Sequence, residues 1–382
     1  MHAFTQAALP EIAFGAGILA QLPERITAMV GKNASLLFVV DPILKSLGMM
    51  DRLEVQLAAH GHKFSLYDGF KGEPKAHDVD AATALGLKSG AQIVIGFGGG
   101  SALDTSKLVA STLASGKKAE SYGLCATPLP AQPLPLIAIP TTAGTGSEVT
   151  RTVIFTTSKG QKLWAWGDGL KPRLAMLDPE LTLAIPGPIT AATGLDALIH
   201  AMEAATNRNR NDAIDLFCHR AIKLISANLL TAIQEPGNIN ARGAMLLGST
   251  YAGIGIDNCG TALAHNISHA MGAIAPIMHG RATAIAMYAT IDWVEEGARE
   301  AFAAVANSMG VKDARQGFKN LVQQSGLKLS LKEDGLDGSS LPQLIEKMQA
   351  PENAPMRNAT VRQVRDEDLE PLARMVLGPA SA

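Results

Sequence analysis

The first half of the chain alternates short apolar runs with segments of helical spacing. Ser35–Val40, Ala91–Gly96 and Leu134–Pro140 are nearly unbroken apolar stretches, whereas Asp78–Ser89 and Ala102–Leu113 place apolar residues three and four positions apart. Apolar strands that alternate with helices are typical of a parallel sheet covered by helices on both faces. The pattern therefore predicts an α/β fold for this half.

The pattern changes after a turn-rich stretch that ends near Pro186. From there strand signals all but vanish, and the predicted helices are Ile189–Asn207, Ala213–Gln234, Ala241–Tyr251, Leu263–Gly272, Ala282–Thr290, Arg299–Met309, Leu341–Gln349 and Asp366–Val376. A chain of 382 residues agrees with two domains, at roughly 150 residues for each. We therefore predict an α/β domain over residues 1–185 and an all-helical domain over residues 186–382.

Charge and cysteine content narrow the functional classes. The net charge of −2 favours neither a nucleic acid nor an anionic membrane as partner, and the apolar stretches noted above are shorter than a bilayer span requires. The three cysteines form no CxxC pair, so neither a disulfide framework nor a thiolate metal site is expected. The first residues lack the basic and apolar blocks of a secretory signal. We expect a cytoplasmic enzyme without a nucleic-acid or membrane partner.

A glycine-rich loop follows the apolar run Ala91–Gly96. Residues 96–107 read GFGGGSALDTSK, in which Gly96 and Gly98 fit the dinucleotide fingerprint GxGxxG, but Ser101 stands at the third glycine position. A strand that passes through glycines into a helix presents backbone N–H groups to a phosphate. The alternative is a tight turn that needs glycine only for its backbone conformation.

Two acidic residues are candidates for a contact with a ribose. Glu120 lies about 20 residues after the loop, where the fingerprint places its acid, and Asp41 follows the strand Ser35–Val40. The spacing leaves both open. A second polar turn, PTTAGTGS at 140–147, carries four hydroxyls and two glycines. The hydroxyls could form hydrogen bonds either with a nucleotide or with the backbone of the turn itself.

Histidine spacing in the helical half indicates a metal site. Asp196 and His200 stand four residues apart in one predicted helix, His265 and His269 repeat that spacing in another, and His279 follows. Residues four apart lie on one helix face. A carboxylate and neutral imidazoles suit Zn²⁺ or Fe²⁺. Five groups exceed the three or four ligands of a catalytic ion, so at least one has another role.

Four motifs together resemble the iron-dependent (group III) alcohol dehydrogenase family. They are GGGSALDTSK (98–107), IPTTAGTGSEVT (139–150), TGLDALIHAMEA (193–204) and HNISHAMGA…PIMHG (265–280). The resemblance extends from about Phe14 to Val376. It implies an N-terminal nucleotide-binding domain and a C-terminal metal-binding, catalytic domain, the dehydroquinate synthase-like fold.

The resemblance also implies roles for single residues. The metal ligands would be Asp196, His200, His265 and His279, which leaves His269 as a candidate proton relay near the nicotinamide. Asp41 is favoured over Glu120, and because an acid there repels a 2′-phosphate, NAD is favoured over NADP. The implied cofactor contacts are Asp41, Gly98, Gly99, Gly100, Ser101, Asp104, Thr141, Thr142, Thr145 and Lys162.

The implied activity is the reversible oxidation of a small alcohol to its aldehyde or ketone, in a homodimer or larger homo-oligomer. Alternatives are a reductase of an acidic keto or enol acid, similar to maleylacetate reductases, and a metal-dependent lyase or cyclase of the dehydroquinate synthase type. A nucleotide-binding module with structural histidines is the alternative outside enzymology. The ligand types admit both iron and zinc.

Overall fold

The computed structural model describes residues 3–70 and 72–378, without the side chain of Arg52. Contacts divide the chain into two compact units. The α/β unit consists of Leu9–Thr142 and Ser147–Thr182, and the helical unit consists of residues 3–8, Ala143–Gly146 and residues 183–378. The short segment Ala143–Gly146 thus belongs to the helical unit although the α/β unit surrounds it in sequence.

Six parallel strands form the sheet of the α/β unit, in the order β1-β8-β5-β4-β2-β3, and β6 pairs with β7 in a separate antiparallel hairpin. The strands are β1 Glu11–Phe14, β2 Ser35–Val40, β3 Lys63–Tyr67, β4 Ile93–Gly98, β5 Leu136–Pro140, β6 Thr152–Thr156, β7 Lys162–Trp166 and β8 Leu174–Leu177. Every residue of β4 and β5 is buried, which explains why these strands are continuous apolar runs in the sequence.

Helices cover both faces of this sheet. They are α1 Leu22–Val30, α2 Pro42–Ser46, α3 Met49–Ala59, α4 Ala76–Ser89 and α5 Gly100–Ser115. Leu36 and Phe38 of β2 belong to one apolar cluster, whereas Leu37 and Val39 belong to another. Because alternate side chains of a strand point to opposite faces, this sheet has a core on each side.

The helical unit is built around α6, which is buried along most of its length and packs against α7, α8 and α10. Its helices are α6 Gly187–Thr206, α7 Asp212–Gln234, α8 Ile239–Cys259, α9 Leu263–Gly272, α10 His279–Glu295, α11 Arg299–Met309, α12 Ala314–Gln324, α13 Leu341–Gln349, α14 Ala354–Ala359 and α15 Asp366–Leu377. Helix α7 has the length and hydropathy of a membrane span. Its buried residues recur every three or four positions and it packs against α6 and α8, which is typical of an amphipathic helix at the surface of a globular protein.

Several elements differ from the predicted pattern. The spacing of apolar residues did not indicate the break at Gly48, whose positive φ of 67° separates α2 from α3. The pattern also did not reveal β1, β8, the β6–β7 hairpin or α12. Strands of four residues are too short to show a period, and β1 and β8 pair across more than 150 residues of sequence.

Candidate functional site

Three helices bring four potential metal ligands together. Asp196 and His200 lie one turn apart on α6, His265 lies in the first turn of α9, and His279 begins α10. One carboxylate oxygen and one ring nitrogen from each imidazole all lie within 4.8 Å of one another. The first three side chains are buried, whereas the side chain of His279 is 30% exposed. The group therefore has one side open to solvent.

The carboxylate of Asp196 is at the centre of this group. Its Oδ1 atom lies 3.7 Å from Nε2 of both His265 and His279, and its Oδ2 atom lies 4.0 Å from Nδ1 of His200. The rings of His200 and His265 are stacked with their centroids 4.5 Å apart. Nδ1 of His200 also lies 3.3 Å from the carbonyl oxygen of Gly144.

The donor set fits a divalent cation. Within residues 3–70 and 72–378, neither Asp196 Oδ1 nor His265 Nε2 has a hydrogen-bond partner, although both atoms are buried. An unsatisfied buried polar group costs about 1–3 kcal/mol, and a cation between these two atoms would remove that cost. One carboxylate and three imidazoles without a thiolate are ligands that both Zn²⁺ and Fe²⁺ accept.

Burial and neighbouring charges shift the pKa values of the group. Burial would raise the pKa of Asp196, but His200, His279 and His265 lower it well below its usual value. For His200, burial outweighs the attraction of Asp196 and lowers the pKa. Burial also disfavours the charged form of His265, but the carboxylates of Glu203 and Asp196 raise its pKa to about 9. The aspartate is thus ionised at neutral pH, as a metal ligand must be.

Glu203 is a site residue that the sequence analysis did not identify. It is buried on α6, and its Oε2 atom lies 2.6 Å from Nδ1 of His265. Its two oxygens also accept hydrogen bonds from the backbone N–H groups of Ala262 and Ala264, each at 2.7 Å. Its spacing carried a signal, because Asp196, His200 and Glu203 at i, i+4 and i+7 share one helix face.

Glycines allow close backbone contacts around the ligands. A Cβ atom on Gly280 would lie 2.4 Å from the carbonyl oxygen of Ala192 and 3.2 Å from the Cβ atom of Asp196. Gly146 has a φ of +63°, and a Cβ atom there would lie 2.4 Å from the Cα atom of Gly253. The first glycine lets the start of α10 approach α6, and the second lets Ala143–Gly146 approach α8.

His269 lies beside the four potential ligands but is not one of that group. It follows His265 by one turn of α9, and its ring centroid is 5.3 Å from that of His279 and 6.4 Å from that of His265. It is half-buried. This arrangement is compatible with the prediction that four of the five residues are ligands and that His269 is a further imidazole.

The glycine loop of the α/β unit connects β4 directly to α5. Gly98 ends the strand with a φ of 151°, Gly99 is the N-cap of α5 and makes no side-chain cap, and Gly100 begins the helix, followed by Ser101. The N-cap residue therefore offers no side chain to the first N–H groups of α5. N–H groups of this kind at the start of a helix can bind an anion.

The structure separates the two candidate ribose acids. A Cβ atom on Gly98 would lie 2.8 Å from the Cβ atom of Asp41, so Asp41 is adjacent to the glycine loop. Its Oδ1 atom also accepts a hydrogen bond from the N–H of Ile43 and caps α2. Glu120 follows the opposite end of α5, about 24 Å along a helix of 16 residues. Its carboxylate accepts a hydrogen bond from the N–H of Ser158.

Two of the predicted cofactor contacts form ion pairs within the α/β unit. Asp104 accepts hydrogen bonds from the hydroxyl of Ser147 at 2.5 Å and the N–H of Ile154 at 2.9 Å, and it lies 3.6 Å from the buried Nζ of Lys107. Asp104 therefore joins α5 to the hairpin. Nζ of Lys162 lies 2.5 Å from Glu73.

The predicted threonine contacts divide between the two units. Thr141 donates its backbone N–H to the carbonyl of Gly98, and the side chain of Thr142 lies 3.5 Å from a Cβ atom placed on Gly99. Both threonines thus accompany the glycine loop. Thr145 belongs to the segment Ala143–Gly146 of the helical unit.

Comparisons with known proteins cover both units. The family described as iron-containing alcohol dehydrogenase matches residues 10–179, and the C-terminal part of the Fe-containing alcohol dehydrogenase family matches residues 190–376. The chain is 33% identical to long-chain-alcohol dehydrogenase 1 of Geobacillus thermodenitrificans over 78% of this chain and 75% of that protein. It is 30% identical to sulfoacetaldehyde reductase of Bilophila wadsworthia over 89% and 91%, respectively.

A solved structure of a similar protein has the same fold as this chain. The crystal structure of sulfoacetaldehyde reductase from Bifidobacterium kashiwanohense in complex with NAD⁺ matches with a TM-score of 0.90 and 27% identity, over 99% of each chain.

Proposed function

The chain belongs to the iron-containing alcohol dehydrogenase family and is an oxidoreductase acting on CH–OH groups, and from this premise we propose how its residues carry the reaction. The reaction is the interconversion of a small alcohol and its aldehyde or ketone, with a nicotinamide cofactor and one divalent metal ion. The observation that carries the proposal is the group of one carboxylate and three imidazoles, three of these four side chains buried, whose ligand atoms lie within 4.8 Å of one another.

Asp196, His200, His265 and His279 would hold the metal ion. A bound divalent ion would supply Lewis-acid chemistry at the substrate oxygen. Iron and zinc are both compatible with these ligands. The support for this assignment is that Asp196 Oδ1 and His265 Nε2 are buried without a hydrogen-bond partner in the described part of the chain.

His269 is the proposed proton relay. Its ring lies close to those of His265 and His279 and is partly accessible to solvent. An imidazole exchanges protons near neutral pH, so His269 can accept the hydroxyl proton of an alcohol at a ring nitrogen and return it to an aldehyde oxygen in the reverse reaction. Asp196, with its lowered pKa, stays ionised and does not compete for this proton.

The α/β unit is the proposed nucleotide-binding domain, and the helical unit is the proposed metal-binding and catalytic domain. The uncapped start of α5 would bind the pyrophosphate through Gly98–Ser101, and Thr141, Thr142, Thr145, Asp104 and Lys162 are further proposed contacts. The bound cofactor supplies hydride chemistry. Asp41 lies beside Gly98, and its carboxylate would bind the ribose hydroxyls and repel a 2′-phosphate. We therefore favour NAD over NADP.

A coupled activity screen tests the proposal. The chain, freed of metal with a chelator, is reconstituted separately with Fe²⁺ and Zn²⁺ and mixed with NAD or NADP and a panel of alcohols. The reverse reaction is measured with NADH and a panel of aldehydes. This panel includes sulfoacetaldehyde, because two similar proteins are named sulfoacetaldehyde reductases. We expect metal-dependent accumulation of NADH with alcohols and metal-dependent consumption of NADH with aldehydes. A metal-dependent product without net NADH, or no reaction with any panel member, would contradict the proposal.

We also propose a cytoplasmic location and a homodimer or larger assembly. The three cysteines are free thiols, which suits a reducing compartment. Strand β1 lies at the edge of the sheet with Phe14 exposed, and an edge strand offers unpaired backbone groups to a second chain. Light scattering coupled to size-exclusion chromatography should give at least twice the mass of 39.9 kDa.

A further inference from the structure

Helix α9 carries His265 but begins without a cap of its own. Its N-cap residue is Ala262, which makes no side-chain hydrogen bond to the first turn. The first N–H groups of a helix have no partner within the helix and need acceptors from elsewhere. Glu203 of α6 supplies them, because Oε2 accepts from the N–H of Ala262 and Oε1 from the N–H of Ala264, each at 2.7 Å.

The same carboxylate also holds the ring of His265. Oε2 lies 2.6 Å from Nδ1, and an ionised carboxylate accepts hydrogen bonds only, so Nδ1 is the donor. With Nδ1 engaged by Glu203, Nε2 is the ring nitrogen left to bind a metal ion, and it lies 3.7 Å from Oδ1 of Asp196. His200 is held differently, because its Nδ1 meets a neutral carbonyl, that of Gly144, at 3.3 Å.

We propose that Glu203 is a positioning residue of the metal centre. One buried carboxylate fixes both the start of α9 and the tautomer and orientation of His265. This inference rests on the proposed metal site, and it predicts a dual consequence. Loss of the carboxylate destabilises the start of α9 and, separately, weakens the metal centre through His265.

Glu203→Gln is a suitable variant because it preserves the size of the side chain. The amide has one oxygen where the carboxylate has two, so its NH₂ group must face at least one of the three N–H donors. The variant therefore removes the charge and one acceptor without leaving a cavity. Glu300→Gln is the matched control, since Glu300 is exposed in the first turn of α11.

The experiment titrates Co²⁺ into the metal-free full chain and records the visible absorption of the bound ion. We expect the Co²⁺ dissociation constant of Glu203→Gln to rise about 10- to 100-fold, the range for losing a carboxylate behind a metal-bound histidine. The absorption band should shift, because His265 changes orientation. The Glu300→Gln control should match the unmodified chain in both measurements.

A second variant separates the two roles. Ala262→Ser gives α9 an N-cap hydroxyl of its own, so the double variant Glu203→Gln/Ala262→Ser should recover thermal stability without recovering Co²⁺ affinity. It also replaces Glu203→Gln in the titration if that variant does not fold. Unchanged affinity and spectrum in Glu203→Gln, or recovery of both in the double variant, would show that Glu203 is only a helix cap. Failure of the unmodified chain to bind Co²⁺ would instead overturn the metal site itself.

Discussion

The helical unit gathers one carboxylate and three imidazoles from three helices, whereas the α/β unit presents backbone N–H groups at the start of α5. In the first, Asp196 and His265 are buried with ligand atoms that lack hydrogen-bond partners among the described residues. In the second, Asp104 is an acid within α5, and its two oxygens accept hydrogen bonds from Ser147 and Ile154. A site made of side chains should fail when one ligand is removed, but a backbone site should respond to changes in shape and nearby charge.

Removing the central ligand gives the largest expected effect. Asp196→Ala deletes the carboxylate that lies near all three imidazoles. We expect loss of stoichiometric metal and a fall in kcat of about 1,000-fold or more, since a metal supplies several kcal/mol of transition-state stabilisation. Metal analysis and turnover measure both, with Asp212→Ala, an exposed residue of α7, as the control. Retained metal with normal activity would refute the site.

The substitution His269→Ala distinguishes a proton relay from a ligand. The four-ligand group remains complete in this variant, so one metal ion per chain should be retained. Turnover should fall by about 100-fold or more, the usual contribution of a positioned acid or base. If metal content falls together with activity, His269 is a ligand and its proposed role is wrong.

A change of backbone packing tests how tightly the helical unit holds His279. In Gly280→Ala, the new Cβ atom would lie 2.4 Å from the carbonyl oxygen of Ala192, so α10 must move away from α6. We expect metal affinity to fall by about 10-fold, comparable to loss of an outer-shell partner. Gly237→Ala, where nothing lies within 4 Å, serves as the control. Equal affinity in the two variants would show that the approach of α10 does not position His279.

The smallest expected effect concerns the α/β unit. Asp41→Asn retains the cap of α2, because asparagine is as good an N-cap as aspartate. It removes the negative charge beside the glycine loop. We expect the ratio of kcat/KM for NAD to that for NADP to fall by about 10-fold, the equivalent of roughly 1.4 kcal/mol, while metal content stays unchanged. An unaltered ratio would remove Asp41 from cofactor selection.

The sequence predicted particular features of both units. The strand Ser35–Val40 has its predicted bounds because all but one of its residues are buried and apolar. The spacing of Asp196, His200, His265, His269 and His279 likewise identified the side chains that the structure brings together. In both cases the pattern records a local requirement, either a buried strand or a helix face.

What the sequence did not reveal depends on contacts between distant residues. Glu203 contacts Ala262 and His265, some 60 positions later in the sequence. Its carboxylate accepts hydrogen bonds from two backbone N–H groups, and because almost every residue type has such a group, no sequence pattern marks them. The segment Ala143–Gly146 lies within a polar turn of the α/β half, yet Gly146 contacts Gly253 of α8. Such contacts become visible only when the helices are packed.

X-ray absorption at the zinc edge of the reconstituted full chain shows whether Asp196, His200, His265 and His279 bind one metal ion together. We expect one zinc ion with a shell of nitrogen and oxygen at about 2.0–2.1 Å, the scattering signature of three imidazoles, and no sulfur. A sulfur shell at about 2.3 Å, or an ion surrounded by water without imidazole, would contradict it.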